Sequence, residues 1–354
     1  MTRRKTRPVR VGSVVIGGDA PVSVQSMTKT PTEDVDATLA QVRELADLGC
    51  EIIRVAVPNM RTIEALRTIA AQSPLPVVAD CHFDHRFALM SLEAGAHGVR
   101  INPGNMGDVE GLREVFRAAA AGGRKVRIGV NSGSVRPRKG MEVQDAHGEL
   151  AAVMVDEALK CCELAESEGC RDLVLSLKAS DAPTTIRAYR LAADACSYPL
   201  HLGVTAAGPP DLSLIKSAVG IGALLAEGIG DTIRVSMTGP PHPEVRAALG
   251  ILRALELRPP AGPEIISCPT CGRCSIDLPA LVREVSERLS GCSKAVKVAV
   301  MGCVVNGPGE AAEADVGIAG GKDFGYIFRK GKKARRVEAS ALADALMAEI
   351  QSMD

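Results

Sequence analysis

Three cysteines and one glutamate near the C-terminal end carry the strongest chemical signal in the chain. Cys268 and Cys271 sit in Ser267-Cys268-Pro269-Thr270-Cys271-Gly272-Arg273. Cys303 and Glu310 sit in Met301-Gly302-Cys303-Val304-Val305-Asn306-Gly307-Pro308-Gly309-Glu310. A C-x-x-C pair puts two thiolates on one tight turn, and a third cysteine in a Gly/Pro-rich loop can close a site from elsewhere in the fold. No histidine lies beyond His242, so the mixed Cys/His zinc pattern is not on offer. Three readings stay open on spacing: an iron–sulfur cluster with one weakly held iron, a structural zinc with Cys274 or Cys292 as its fourth ligand, and plain reduced thiols. Of these, only a cluster with an open iron could touch a substrate as well as carry electrons.

A second signal lies further upstream, where single cations are planted in short apolar runs. Arg54 falls in Ile52-Ile53-Arg54-Val55, Arg100 in Gly98-Val99-Arg100-Ile101, and Arg127 in Val126-Arg127-Ile128. Lys178 closes Leu175-Ser176-Leu177-Lys178, and Arg234 falls in Thr232-Ile233-Arg234-Val235. Arg and Lys are rarely buried without a partner. Five of them on five strands point to convergence on an anion, and guanidinium forks suit the oxygens of a diphosphate. The plainer alternative pairs some of them with carboxylates such as Glu51 or Asp172 at the other end of the strands. Polar groups accompany the cations near the strand ends: Asp80 and His82, Asn102, Asn131 and Ser236.

The elements that must position these groups show an eightfold rhythm. Strands are expected at Val22–Met27, Ile52–Val57, Val77–Asp80, Gly98–Asn102, Val126–Asn131, Leu173–Lys178, Leu200–Thr205 and Thr232–Met237. Between them lie runs such as Asp34–Leu48, Arg61–Ala71, Val109–Ala120, Glu149–Glu168, Pro183–Ala193 and Leu212–Leu225, with apolar residues at helical spacing. Eight βα units over this length predict a (β/α)8 TIM barrel with its site at the C-terminal ends of the strands. A doubly wound sheet is the alternative, but no G-x-G-x-x-G follows the first strand. Pro259-Pro260-Ala261-Gly262-Pro263 reads as a linker. The expected division is therefore a barrel over 1–258 and a smaller α/β domain over 259–354, with a helix at about Pro279 to Leu289 and a strand Val296–Val300 that delivers Cys303.

Composition narrows the class. The chain has 354 residues, a formal net charge of zero and 46% hydrophobic residues, as expected of a soluble globular protein. No apolar run approaches a membrane span, and the basic start Met1-Thr2-Arg3-Arg4-Lys5 lacks the apolar stretch of a secretory signal. Eleven cysteines in such a chain imply a reducing, cytoplasmic setting. Aromatic residues at 2% and balanced charge argue against a nucleic-acid partner. The basic cluster Arg329-Lys330-Gly331-Lys332-Lys333 with Arg335-Arg336 reads as a solvated turn.

Taken together, these segments resemble the 4-hydroxy-3-methylbut-2-enyl diphosphate synthase family of the methylerythritol phosphate route to isoprenoids. The resemblance rests on Val24-Gln25-Ser26-Met27-Thr28, Arg100-Ile101-Asn102-Pro103-Gly104-Asn105, Arg127-Ile128-Gly129-Val130-Asn131, Lys178-Ala179-Ser180, Gly228-Ile229-Gly230-Asp231-Thr232-Ile233-Arg234-Val235-Ser236 and the two cysteine segments. It implies a TIM barrel joined to a [4Fe-4S] domain, with Cys268, Cys271, Cys303 and the carboxylate of Glu310 as ligands and Cys274 and Cys292 as bystanders. It implies substrate binding by Arg54, His82, Arg100, Arg127, Asn131, Lys178, Arg234 and Ser236, with Asp80, Asn306 and Glu310 as polar active-site groups. The implied reaction opens 2-C-methyl-D-erythritol 2,4-cyclodiphosphate and reductively dehydrates it with two electrons from ferredoxin or flavodoxin, in a homodimer.

One departure concerns the chemistry. This chain reads His201-Leu202-Gly203-Val204-Thr205-Ala206-Ala207-Gly208, where the family pattern has Thr-Glu-Ala-Gly. Ala206 therefore stands in place of an active-site carboxylate, leaving Asp80 or Asp211 as substitute acids, or a slow or altered enzyme. A non-catalytic iron–sulfur sensor would need the cysteines but not five cations.

Overall fold

A computed structural model describes residues 2–106, 108–135, 146–260, 262–303, 309, 312 and 314–353. The chain divides into two compact units, Met1–Arg258 and Pro259–Asp354.

The first unit opens on an antiparallel hairpin, β1 (Val9–Val11) and β2 (Val14–Ile16), which the sequence patterning did not single out. Eight parallel strands follow: β3 (Ser23–Met27), β4 (Ile52–Val57), β5 (Val77–Cys81), β6 (Gly98–Ile101), β7 (Lys125–Asn131), β8 (Leu173–Lys178), β9 (His201–Leu202) and β10 (Thr232–Ile233). They lie side by side in the order β8-β7-β6-β5-β4-β3-β10-β9. A single parallel bridge between Leu175 and Leu200 joins the two ends of that order, so the sheet closes into the expected barrel. β9 and β10 are shorter than anticipated. Regular pairing stops where Gly203 passes so close that a Cβ would lie 2.6 Å from both the Arg234 carbonyl and Lys178 Nζ.

Alternation along each strand divides the barrel's two faces. Ile53, Val55, Val99, Val126, Ile128 and Leu175 are fully buried against the surrounding helices. These helices are α1 (Val35–Asp47), α2 (Arg61–Gln72), α3 (His85–Glu93), α4 (Val109–Ala121), α5 (Ala146–Ser167), α6 (Ala182–Ala195), α7 (Pro210–Ala226) and α8 (His242–Ala254). Several start at an aspartate just past a strand: Asp34, Asp84, Asp108 and Asp181 accept from the N–H groups of Ala37, Arg86, Glu110 and Thr184 at 2.8–3.1 Å. Each such cap contributes about 1 kcal/mol and fixes the path of the loop that carries strand-end residues. At the opposite end, Val9, Val11 and Ile16 of the hairpin pack on Ile52, Val78 and Val174, which point into the barrel and give it an apolar floor.

The second unit is a five-stranded sheet in the order β11-β12-β13-β14-β15. β11 (Glu264–Ser267), β12 (Lys297–Met301) and β13 (Val316–Ala319) run parallel, and β14 (Phe324–Arg329) and β15 (Lys332–Glu338) are antiparallel. α9 (Leu278–Leu289) and α10 (Leu342–Gln351) bury Val285, Leu289, Leu346 and Ile350 against Val298, Val300, Ile318 and Ile327. The basic cluster anticipated as a turn is instead the end of β14, the tight connection Lys330-Gly331 with φ of +45° and +73°, and most of β15.

Ile52 is the residue by which β4 meets the hairpin, and it has no exposed surface. Ile52→Ala is expected to destabilise the barrel by about 2–5 kcal/mol, read as a lowered urea midpoint with an unchanged slope.

Candidate active site

The side chains that alternate inward above the floor are polar and mostly cationic. Arg54, Asp80, Arg100, Arg127 and Lys178 each sit on a different barrel strand, and Arg234 follows β10 directly. Asp80, Arg100, Arg127, Lys178 and Arg234 are all less than a tenth exposed. None of the five cations pairs with Glu51, whose carboxylate is held by Arg258 at 2.6 Å. Two other carboxylates serve them. Asp80 faces Arg54 at 3.5 Å and Arg100 at 3.4 Å, and Glu244 faces Arg234 at 3.2 Å and Lys29 at 2.9 Å. These two carboxylates are outnumbered: Lys29 shares Glu244 with Arg234, and the fully buried Lys125 adds a further inward cation to the five.

The charges act on one another. Burial pushes Arg54 down to about 10, with Asp80 opposing and Arg234 and Arg100 reinforcing the fall. Burial lowers Arg127 and Lys178 well below their ordinary values, and the neighbouring cations push in the same direction. Burial would raise Asp80, but Arg54 and Arg100 overcome it and hold the carboxyl well below the usual range. Held ionised in this way, Asp80 keeps two arginines at a fixed spacing.

Arg127 reaches across the barrel. Its Nη1 donates to Gln25 Oε1 at 3.3 Å, and Gln25 Nε2 donates to Thr232 Oγ1 at 2.8 Å. Met27 Sδ lies 3.0 Å from Arg54 Nη2 and 4.0 Å from Arg234 Nη1. Lys178 Nζ lies 3.2 Å from Nε2 of the fully buried His201. Gln25, Met27, Lys29, His201 and Glu244 were not among the site residues anticipated from sequence. For Gln25 and Met27 the alternation along the first strand was a usable signal; for Glu244, in the first turn of α8, there was none.

Nearer the mouth, His82 Nε2 is 2.9 Å from Arg100 Nη1. A guanidinium can only donate, so this ring nitrogen accepts, while Nδ1 lies 3.5 Å from the Asn105 amide nitrogen. The Asn131 backbone is clasped by Ser134, whose Oγ accepts from its N–H at 3.2 Å and donates to its carbonyl at 2.8 Å. Ser236 is half-buried two residues beyond Arg234. Ala206 is exposed and carries a φ of +48°. Asp211 is exposed in the first turn of α7.

In the second unit, β11 and β12 run parallel with Ser267 opposite Val300, so Cys268 and Cys303 leave the same end of adjacent strands. The Gly302 N–H donates to Cys268 Sγ at 3.4 Å, which ties the first cysteine of the pair to the end of β12. Thr270, with φ of +61°, turns the chain between Cys268 and Cys271, and Cys271 is exposed. Cys274 shares this end: a Cβ on Gly302 would lie 2.4 Å from its Sγ. Cys292 does not, since its carbonyl lies beside Gly262, ahead of β11, at the far end of the strands. That placement removes Cys292 as a fourth ligand. Among the described residues no three His, Cys, Asp or Glu side chains are gathered closely enough for a single metal ion. Cys268, Cys274 and Cys303 leave one end of adjacent strands, a set of soft donors of the kind an iron–sulfur cluster takes. Asn306 and Glu310 lie outside the described residues.

His201 gives a pH test of the charged interior. Burial, followed by Lys178 and Arg127, holds its folded-state pKa well below the ordinary value. Below about pH 6.5 the unfolded chain takes up a proton that the folded barrel refuses, so stability falls with pH in that window. His201→Gln is expected to flatten the decline in thermal midpoint between pH 7 and 5. An unaltered decline would assign it to other groups.

Comparison with known proteins places this geometry. The GcpE TIM-barrel domain family matches residues 6–249, and the GcpE protein C-terminal domain family matches residues 264–352. A curated relative from Geobacter sulfurreducens, named 4-hydroxy-3-methylbut-2-en-1-yl diphosphate synthase (flavodoxin), is 52% identical over 352 residues, covering 99% of this chain and 98% of the relative. A relative of the same name from Aquifex aeolicus is 49% identical, covering 99% and 98%. Among solved structures, a dihydropteroate synthase from Yersinia pestis matches with a TM-score of 0.50 at 15% identity, covering 70% of this chain and 97% of that one. One from Coxiella burnetii, in complex with pteroic acid, matches with a TM-score of 0.51 at 13% identity, covering 71% and 99%. These structural likenesses concern the fold alone. The relatives' identity runs the whole length of the chain, through the cationic barrel and the cysteine-bearing sheet alike, and the chain belongs to the GcpE family.

Proposed function

We propose that this chain is a 4-hydroxy-3-methylbut-2-en-1-yl diphosphate synthase acting as a homodimer on 2-C-methyl-D-erythritol 2,4-cyclodiphosphate, with flavodoxin or ferredoxin as electron donor. Membership of a family whose curated relatives carry that name supports the reading. The observation that carries it is a set of inward cations, Arg54, Arg100, Arg127, Lys178 and Arg234 with Lys125 further down β7, facing only the carboxylates of Asp80 and Glu244. Such a cup is electrostatically incomplete until an anion of two or more charges fills it.

Cys268, Cys271 and Cys303, with Glu310, would hold a [4Fe-4S] cluster; when bound it supplies electrons singly and a Lewis-acidic iron for a substrate oxygen. The chain's own residues do the rest. Arg54, Arg100, Arg127, Lys178 and Arg234 grip the diphosphate and stabilise the charge that grows on a phosphate oxygen as the ring opens. Asp80 and Glu244 keep the arginines aimed, so little reorganisation is needed when substrate arrives. His82, Asn131 and Ser236 lie near the mouth, where imidazole, amide and hydroxyl groups can meet the non-phosphate end. Asn306, outside the described residues, is a further polar group in the proposed set.

A second reading is favoured by Ala206. An exposed methyl can neither deliver a proton nor orient a water, so the chain could be a slow or altered member of its family. The backbone there already tolerates a Cβ in the left-handed region, and a glutamate adds no new backbone strain.

Anaerobic turnover of the cyclodiphosphate with a strong small-molecule reductant tests the main reading, and formation of the allylic diphosphate is the expected result. Absence of turnover by a protein carrying its full iron content would reject it. Arg100→Met is expected to weaken diphosphate binding by about 1.5–3 kcal/mol, or ~10–150-fold in Kd, without loss of iron. Ala206→Glu separates the two readings. A gain in kcat of about 10²–10⁴-fold at unchanged affinity means that the missing carboxylate limits the enzyme. No gain, with activity lost in Asp211→Asn, means that the acid has moved.

A further inference from the structure

The β14–β15 hairpin is the most strongly charged surface of the second unit. Arg329-Lys330-Gly331-Lys332-Lys333-Ala334-Arg335-Arg336 carries six cations and no acid, in a chain whose net charge is zero. Arg329 is committed to Glu349 at 2.8 Å. Among the described residues no carboxylate is paired with Lys330, Lys332, Lys333, Arg335 or Arg336. Lysines on an edge strand also guard against strand-to-strand aggregation, and that role alone would explain charges spread along β15.

It does not explain what lies beneath two of them. Arg336 stacks 3.6 Å from the centroid of the Phe324 ring, and Lys333 Nζ lies 4.3 Å from the centroid of Tyr326. The two rings meet edge to face at 5.7 Å and are only half-buried. Cations held in place over partly exposed rings have the composition of a binding surface, where Arg and aromatic residues are enriched. Edge protection needs no aromatic base.

The position of this face adds a second argument. Met301 is in register with Ala319, Ala319 with Tyr326, and Tyr326 with Arg336. The Phe324–Arg336 end of the hairpin is therefore the end at which β11 and β12 deliver Cys268 and Cys303. β15 lies three strands from β12, about 14 Å at the usual strand spacing.

We propose that the Phe324, Tyr326, Lys333 and Arg336 face is the docking surface for the electron-carrier protein, and that the carrier meets it with an acidic face. The inference rests on the reductive reading above. Each encounter oxidises the carrier by one electron and reduces the cysteine-bearing unit by one; two encounters supply the electron pair with which the ring C–O bond and the neighbouring C–OH bond break and one C=C forms, the diphosphate oxygen leaving as the anion and the hydroxyl leaving with a proton as water. Long-range attraction between the two faces speeds encounter and falls with salt.

The test uses the iron-loaded full chain under anaerobic conditions, with Lys333→Glu/Arg336→Glu and the milder Lys333→Gln/Arg336→Gln. Turnover is measured with flavodoxin across ionic strength and, in parallel, with dithionite and methyl viologen. Direct flavodoxin binding is followed by calorimetry. The charge-reversed variant is expected to raise the flavodoxin KM and Kd at least tenfold and to flatten their salt dependence. The glutamine variant should fall between it and wild type. Iron content and viologen-driven turnover should stay at wild-type level. Unchanged flavodoxin binding in both variants overturns the docking assignment while leaving the reaction intact. So does loss of heparin or oligonucleotide binding with flavodoxin binding preserved, which would mark a general polyanion surface. Absence of viologen-driven turnover in the wild-type protein instead removes the reductive reading itself.

Discussion

Mutual repulsion among buried cations is the constraint on which the first unit depends. Moving even one charge out of water costs several kcal/mol, and here the five site cations and Lys125 share one barrel with two carboxylates. The fold meets this cost with geometry. Asp80 and Glu244 each serve two cations, Gln25 braces Arg127 from across the barrel, and His201 stays neutral beside Lys178. Glycine makes the space: a Cβ at Gly129 would lie 2.6 Å from Arg100 Nε, and one at Gly203 equally close to Lys178 Nζ. A branched side chain at either position would push a cation out of place, so the interior departs from the aliphatic layers usual in such barrels.

Rigidity elsewhere makes this arrangement sustainable. The outer face of each strand is bound to its helices by a continuous aliphatic core, and aspartate caps fix several of the loops beyond the strand ends. The strain of the charged interior is therefore confined between a packed shell and an apolar floor. Stability and chemistry are divided by the period-two alternation of the strands: odd positions along β7 (Lys125, Arg127, Gly129, Asn131) turn inward, while Val126, Ile128 and Val130 build the shell.

Much of this was legible in the sequence because it is local. All eight barrel strands were marked by β-branched runs between amphipathic ones, and Arg54, Arg100 and Arg127 stood out as lone cations in apolar surroundings. Their partners did not. That Arg127 meets Gln25, or that Arg234 meets Glu244, follows from how the barrel closes and has no signature at either residue. Short elements were also hidden. β15, Lys332–Glu338, lacks the alternation of a half-buried strand because only one of its edges is paired, and it reads as a solvated charge run. β9 and β10 were anticipated too long, since β-branched composition continues past the point where Gly203 and Arg234 interrupt the ladder. Cys274 and Cys292 were equivalent on spacing, and only the strand direction of β11 and β12 separates them.

The floor built by β1 and β2 has a kinetic meaning. Among the described residues, Val9, Val11 and Ile16 close the bottom of the barrel against Ile52, Val78 and Val174. A ligand held by the cations would then enter and leave by the open, C-terminal end of the strands. A product that keeps its diphosphate keeps most of its hold on the protein, and it must vacate that doorway before the next molecule can use it. If the cations bind the diphosphate as proposed, departure and arrival compete for that end, and the charges that would capture the incoming anion would also slow the outgoing one.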